Sequence, residues 1–208
     1  MNILLNKFPN RIEINDKEFE INSDFRIGLE IVLMFEDATM NKIEQLQEMC
    51  NLLYKNEILE EDFEEACKKA TKFLDCGEVR KVVKENQNEE DNDDEDGRLY
   101  SFEKDAKYIY SAIKQTHHID LESIENLHWW KFIYMFMDLD KDCFFSQILH
   151  LRSQKQKGKL TKDEALVYHR MRDILDLNYT DEDGEPSEFE QLLKGSADIE
   201  RYEDEKEN

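Results

Sequence analysis

Ile12, Ile14, Phe19 and Ile21 alternate with polar residues on either side of Asn15-Asp16-Lys17, a period of two that predicts a small β-hairpin. From Asn22 the apolar period lengthens to that of helices. Asn22-Ser23-Asp24 supplies N-cap candidates for a helix through Phe25, Leu29, Val32, Leu33 and Phe35, with Asp37 near its end. A second helix places Ile43, Leu46, Met49 and Leu53 on one face and turns Glu44, Gln47 and Glu48 outward. A third runs from about Glu60 to Cys76 on the face Phe63, Ala66, Cys67, Ala70 and Phe73, and Gly77 stands where a left-handed C-terminal cap belongs.

Farther along, Ser101 is a cap for a helix through Ala106, Ile109, Tyr110 and Ile113 that ends at His117-His118. Asp120 or Ser123 opens the next helix, which runs to about Asp138 and contains the densest apolar stretch of the chain, Asn126 to Met137, with both tryptophans. Between Trp129 and Met137 only Lys131 is polar, so this helix is apolar on nearly every side and must be surrounded by other elements or by a partner. Packing within the core is the leading reading. The stretch is too short to span a bilayer, which takes roughly 20 apolar residues. Cys143-Phe144-Phe145 begins another helix that reaches Arg152, and Thr161 with Glu164 forms a capping box for one carrying Ala165, Tyr168, Met171, Ile174 and Leu175. The whole predicts a mainly α protein, a helical bundle with a small N-terminal β-hairpin, and contains no internal repeat.

Charge divides the chain further. Of 208 residues, 50 are Asp or Glu and 28 are Lys or Arg, a formal net charge of −22, with only two prolines and six glycines. Residues 86–97 carry seven acids and no base, and residues 178–208 carry twelve acids and three bases. By contrast, 98–177 has twelve acids and thirteen bases and is near neutral. Residues 86–97 have no apolar side chain and cannot bury anything, so they read as a disordered acidic linker, and 178–208 as an acidic tail with one weak amphipathic turn at Phe189, Leu192 and Leu193. The expected division is a hairpin-plus-helical module over 1–85, the linker, a second helical module over 98–177, and the tail. Such a surface argues against nucleic acid as a partner, which requires clustered Lys and Arg to displace counterions. Cys50, Cys67, Cys76 and Cys143 form no C-x-x-C pair and read as reduced thiols. With no basic stretch leading into an apolar run at the N-terminus, a cytoplasmic protein without membrane contact is expected.

Candidate chemistry is sparse. Asn92, Asp94, Asp96, Gly97, Leu99 and Glu103 occupy positions 1, 3, 5, 6, 8 and 12 of a calcium-binding loop. Asn92 stands where the template wants Asp, and the preceding sequence is too polar for an entering helix. A second near-match, with Asp181, Asp183, Gly184 and Glu190, has Tyr179 at position 1. His117, His118, His128, His150 and His169 show no zinc spacing, and no nucleophile or phosphate-loop motif occurs, so neither a metal, a cofactor nor an enzyme is expected. Arg152, Lys155, Lys157, Lys159 and Lys162 form one cationic patch, expected in a glycine-containing loop and suited to an acidic segment of this chain or of a partner.

Tyr100-Ser101-Phe102-Glu103-Lys104-Asp105-Ala106-Lys107-Tyr108-Ile109-Tyr110, Ile119-Asp120-Leu121, Leu127-His128-Trp129-Trp130-Lys131-Phe132, Ile148 and Arg152 together resemble the signature of the bacteriophage gene-product-fifteen family. The N-terminal hairpin followed by Asp24-Phe25-Arg26 is similar to it as well. The resemblance covers most of residues 10–175. It implies a small protein of siphophages and prophages of low-GC Gram-positive hosts, encoded between the major tail protein and the tape measure, with no catalytic residues to carry over. That gene position resembles the place of tail assembly chaperones, which hold the tape-measure protein soluble until the tube polymerises around it. The host cytoplasm would be its site of action. On that reading some of Trp129, Trp130, Phe132, Tyr134, Phe136, Phe144 and Phe145 form a groove for a tape-measure or other tail protein, and Arg152 and Lys155 a cationic contact. A structural component of the virion tail, and an acidic DNA mimic that inhibits a host protein, are the alternatives. Self-association into a homo-oligomer is open.

Overall fold

The structure is a computed structural model, and it describes residues 2–36, 39–77 and 98–177. Strands β1 (Arg11–Ile14) and β2 (Lys17–Glu20) pair antiparallel, with Ile12 opposite Phe19 and Ile14 opposite Lys17. Asn15 and Asp16 alone make the turn, at φ of 47° and 62°, a left-handed pair that Asn and Asp tolerate better than most side chains. Lys17 therefore belongs to the second strand. The turn is fastened by Asp62, a buried carboxylate at the end of the 3-10 turn Glu60–Asp62, which accepts from Asn15 Nδ2 at 2.7 Å and from Lys17 Nζ at 3.2 Å.

Helices α1 (Phe25–Glu36), α2 (Lys42–Leu53) and α3 (Phe63–Leu74) follow. The α3 face is the expected one, with Ala66, Cys67, Ala70 and Phe73 buried. Beyond it Cys76 and Gly77 turn left-handed, and the Gly77 N–H returns to the Lys72 carbonyl at 2.8 Å, closing the helix end. The α2 face is rotated from the expected one. Ile43 is 67% exposed, whereas Gln45 is buried beside Met49, Cys50 and Leu53. An inward amide is accommodated because Gln45 Nε2 donates to the Met34 carbonyl at 3.2 Å.

Helix α4 (Ala106–His117) ends on left-handed His118, as the paired histidines suggested. Helix α5 (Trp129–Met137) is shorter than expected, because His128 is extended and bridges Asp24 antiparallel rather than continuing a helix from Asp120 or Ser123. Phe25 N–H donates to the Leu127 carbonyl at 2.8 Å and Trp129 N–H to the Ser23 carbonyl at 2.7 Å. Neither Asp120 nor Ser123 opens the helix; His128 does, its Nδ1 accepting from Trp130 N–H at 3.1 Å. Helix α6 (Phe144–Gln156) continues a full turn past Arg152, so Arg152 and Lys155 are helical rather than in a loop. The capping box of Thr161 and Glu164 starts α7 (Lys162–Arg170), and a break at Met171 separates it from α8 (Arg172–Leu175).

These eight α-helices and one hairpin make the described chain mainly α. None of the helices is long and apolar enough to cross a membrane. The described residues gather into two compact units. One holds those within Met1–Glu95 and Ser101–Gln147, and the other those within Asp96–Tyr100 and Ile148–Asn208. The first thus joins elements from both sides of the 86–97 stretch, with α1 packed on α5, instead of following the order of the chain. Its interior is Ile14, Ile31, Met49, Leu53, Ile113, Phe132 and Phe145, all buried. The second is organised around Arg152, only 4% exposed, whose guanidinium donates to three carbonyls: Leu99 at 3.0 Å, Ile174 at 2.8 Å and Leu175 at 2.9 Å. A fork of fixed donors suits this task, since one side chain joins three chain segments beside the buried Ile148, Tyr168 and Leu175. The stretches 86–97 and 178–208 lie outside the described residues, and with them most of both calcium-loop readings.

Candidate functional site

The aromatic side chains of α5 and the start of α6 are mostly interior. Trp129 is 2% exposed, its Nε1–H donating to the Leu74 carbonyl at 2.9 Å. Phe132 stacks on Phe25 at 4.9 Å between centroids, and Phe145 is fully buried. Tyr134 is half-buried beside Phe8 at 6.1 Å, and Phe136 is half-buried beside Phe102 at 5.3 Å. Phe144 alone among the seven is exposed, with its edge to Tyr108. These rings therefore do not line one groove. A helix with a single polar residue in nine is enclosed by its own chain, which leaves the rings inward instead of open to a partner. Arg152 is likewise committed to its three carbonyls. Lys155 is exposed but faces Tyr168, with Nζ 4.3 Å from the ring centroid and 3.2 Å from the hydroxyl.

Trp130 is the exception. Its Nε1–H donates to the Phe73 carbonyl at 2.7 Å, and this bond holds one side of the indole toward a cavity of about 270 Å³ in the first unit. Ile3, Pro9 and Ile12 line that cavity from the N-terminal side, and Phe73 and Gly77 from the end of α3. Gly77 is needed there twice over. Its φ of 78° excludes most side chains, and an added Cβ would lie 3.1 Å from Trp130 Cη2. Half-buried Lys69 and exposed Lys72, one turn apart on α3, supply the cationic part of the lining, and the half-buried Cys76 thiol completes it.

Ile3 of the lining is followed in sequence by two exposed apolar residues. Ile3 is 38% exposed, and the next two residues, Leu4 and Leu5, are 89% and 81% exposed. A cavity of this volume falls just under the roughly 300 Å³ at which small-molecule pockets begin, and it is lined mainly by apolar groups. It suits one or two apolar side chains of a bound helix, with Lys72 placed to meet an acidic neighbour on that helix, while Lys69 lies 3.6 Å from Glu65 of α3. Sequence pattern gave Ile12 and Cys76 structural places only and did not mark them, or Ile3, Pro9, Lys69 and Lys72, as site residues. The signal available for them was the run Ile3-Leu4-Leu5, three apolar residues with no helix or strand of their own to bury them.

His128 stands edge to face with Trp130 of the lining, 6.1 Å between ring centroids. Its Nδ1 accepts from Trp130 N–H and its Nε2 lies 2.9 Å from the Pro9 carbonyl. Both contacts are satisfied only by the neutral ring with the proton on Nε2. Burial holds its pKa below the ordinary value of 6.5, against the smaller opposing effect of the Pro9 carbonyl. Among the described residues no three His, Cys, Asp or Glu side chains are grouped to hold a metal ion.

A family described as Bacteriophage Gp15 protein matches residues 4–177. No curated protein matches the chain, and no solved structure does.

Proposed function

The chain belongs to the Bacteriophage Gp15 protein family, and from that premise we propose that it is a non-enzymatic tail morphogenesis protein acting as a tail assembly chaperone for the tape-measure protein. The observation that carries this reading is the groove of Ile3, Ile12, Phe73 and Trp130, with exposed Leu4 and Leu5 next to Ile3 in sequence. An apolar groove that no described residue fills, with two lysines in its lining, fits a segment that is helical, apolar on one face and acidic beside it. A chaperone also needs a surface that keeps its client in solution, and a net charge of −22 supplies strong mutual repulsion between loaded complexes.

The chain works in the cytoplasm of the bacterial host, before the tail is complete. Co-expression with the tape-measure protein of the same phage tests this. The tape measure is expected to shift into the soluble fraction and to co-purify with the chain. If it precipitates alone beside a well-folded, soluble chain, the chaperone role is lost. Recovery of the chain in purified particles would favour a structural tail component instead.

A further inference from the structure

The described residues of the second unit reverse the net sign of the chain that contains them. Its described residues carry eight Lys and Arg against four carboxylates, Asp163, Glu164, Asp173 and Asp176. Two of those four are occupied: Glu164 with Thr161 and His150, and Asp176 with Lys155 and Arg172. Lys157, Lys159, Lys162 and Arg170, by contrast, make no ion pair or side-chain hydrogen bond among the described residues.

Helix α7 aligns these cations with apolar surface. Tyr168 is its only buried residue. At 100° per residue, the stripe opposite Tyr168 is Lys162, Leu166 and Arg170, spaced four apart, with Val167 and Asp163 beside it. Leu166 is 54% exposed and Val167 is 42% exposed. A surface helix normally turns its apolar residues inward, so an outward Leu-Val pair beside Lys162 and Arg170 is a face that no described element covers.

We propose that this face is covered by the chain's own acidic tail, residues 178–208, docked in cis. Three features select that occupant. The tail carries twelve acids against three bases, which complements the uncommitted Lys and Arg. Unlike 86–97, which has no apolar side chain, it offers Phe189, Leu192 and Leu193 to bury against Leu166 and Val167. It also follows directly on Leu177 of the same unit, and the twelve residues from there to Phe189 can extend up to about 40 Å. A tether that short gives an effective concentration on the order of millimolar, so even a weak contact is populated within one chain before another chain competes. The tail then acts as a cover for the cationic face of its own unit, and an acidic partner would have to displace it. This inference does not depend on the tape-measure reading.

Zero-length carbodiimide coupling of the full-length chain, mapped by mass spectrometry, tests the proposal. Lys155 and Asp176, 3.9 Å apart, provide an internal control for the coupling. The expected result is amide links from tail carboxylates to Lys157, Lys159 or Lys162. They should be lost near 1 M salt, where screening acts within about 3 Å, and weakened roughly tenfold by Leu166→Asn, which leaves every lysine in place. Mixing ¹⁴N- and ¹⁵N-labelled chains should give no mixed-isotope links. Links to 86–97 instead of the tail, links between chains, or no tail links while the control pair couples would each overturn the proposal.

Discussion

The six-membered ring of Trp129 lies directly on Gly28 of α1. A Cβ added at Gly28 would fall 2.8 Å from Cζ3 and nearer still to Cε3 and Cδ2. Alanine is favoured over glycine inside a helix by about 1 kcal/mol. Here the contact decides the sign, because the indole is buried and tied to the Leu74 carbonyl and has nowhere to move. Gly28→Ala is expected to destabilise the fold by about 1–3 kcal/mol in urea unfolding. Trp129→Phe, which frees the space, should make the double variant less than additive. An increase in stability from Gly28→Ala alone would contradict this packing.

Asp24 is the polar counterpart of that contact. Its carboxylate accepts from Leu127 N–H at 3.1 Å and from Arg26 N–H at 3.0 Å, while Arg26 donates to the Leu121 and Ile124 carbonyls. Asp24→Ala strands two amides and should cost about 1–3 kcal/mol. Asp24→Asn retains an acceptor and should cost less. Equal losses would mean that the charge, not the acceptor geometry, matters.

Protonation of His128 opposes the fold. Its folded pKa lies below the unfolded value of 6.5, so the unfolded chain binds more protons between the two. The stability that depends on neutral His128 is complete above 6.5 and is lost as pH falls from there through the depressed value. Asp120 acts lower. Its carboxyl is held down to about 2, first by Lys114 and then by Tyr110, so its contribution is lost only as pH falls from 3.8 toward that value. Urea midpoints should decline from about pH 7 to about pH 5, and His128→Asn, which can still cap α5, should flatten that slope.

The four thiols should separate by reactivity. Cys50 and Cys67 are buried with their sulfurs 3.6 Å apart, and burial first, then Cys67, pushes the Cys50 thiol up to about 12. Cys143 is buried as well, and Cys76 is half-buried in the lining of the groove. A maleimide is expected to modify Cys76 first in the native protein and the other three only on unfolding. Modified Cys76 should also reduce tape-measure capture, since the adduct would fill the cavity.

Much of this fold was legible in local pattern. The hairpin, the α3 face, the cap at Gly77 and the capping box at Thr161 depend on residues near one another in sequence, so spacing alone specifies them. The start of α5 was not legible in this way, because His128 is drawn into an extended bridge with Asp24, fastened by Ser23 and Phe25 about a hundred positions away. The α2 face was misread for a similar reason: Gln45 turns inward only because the Met34 carbonyl is there to receive it. Burial of the α5 rings followed from their density. The groove did not, since it is assembled from the N-terminal arm, the hairpin, the end of α3 and one edge of Trp130, none of which is distinctive alone.

The groove as the tape-measure contact is the central claim, and site-specific photo-crosslinking during co-expression tests it most directly. A benzophenone side chain at Ile3, in the groove lining, is compared with one at Ile43, an exposed apolar residue of α2 in the same unit. The account predicts a covalent adduct with the tape-measure protein from position 3 and none from position 43. Equal adducts from both positions, or an adduct from position 43 alone, would place the contact elsewhere and contradict it.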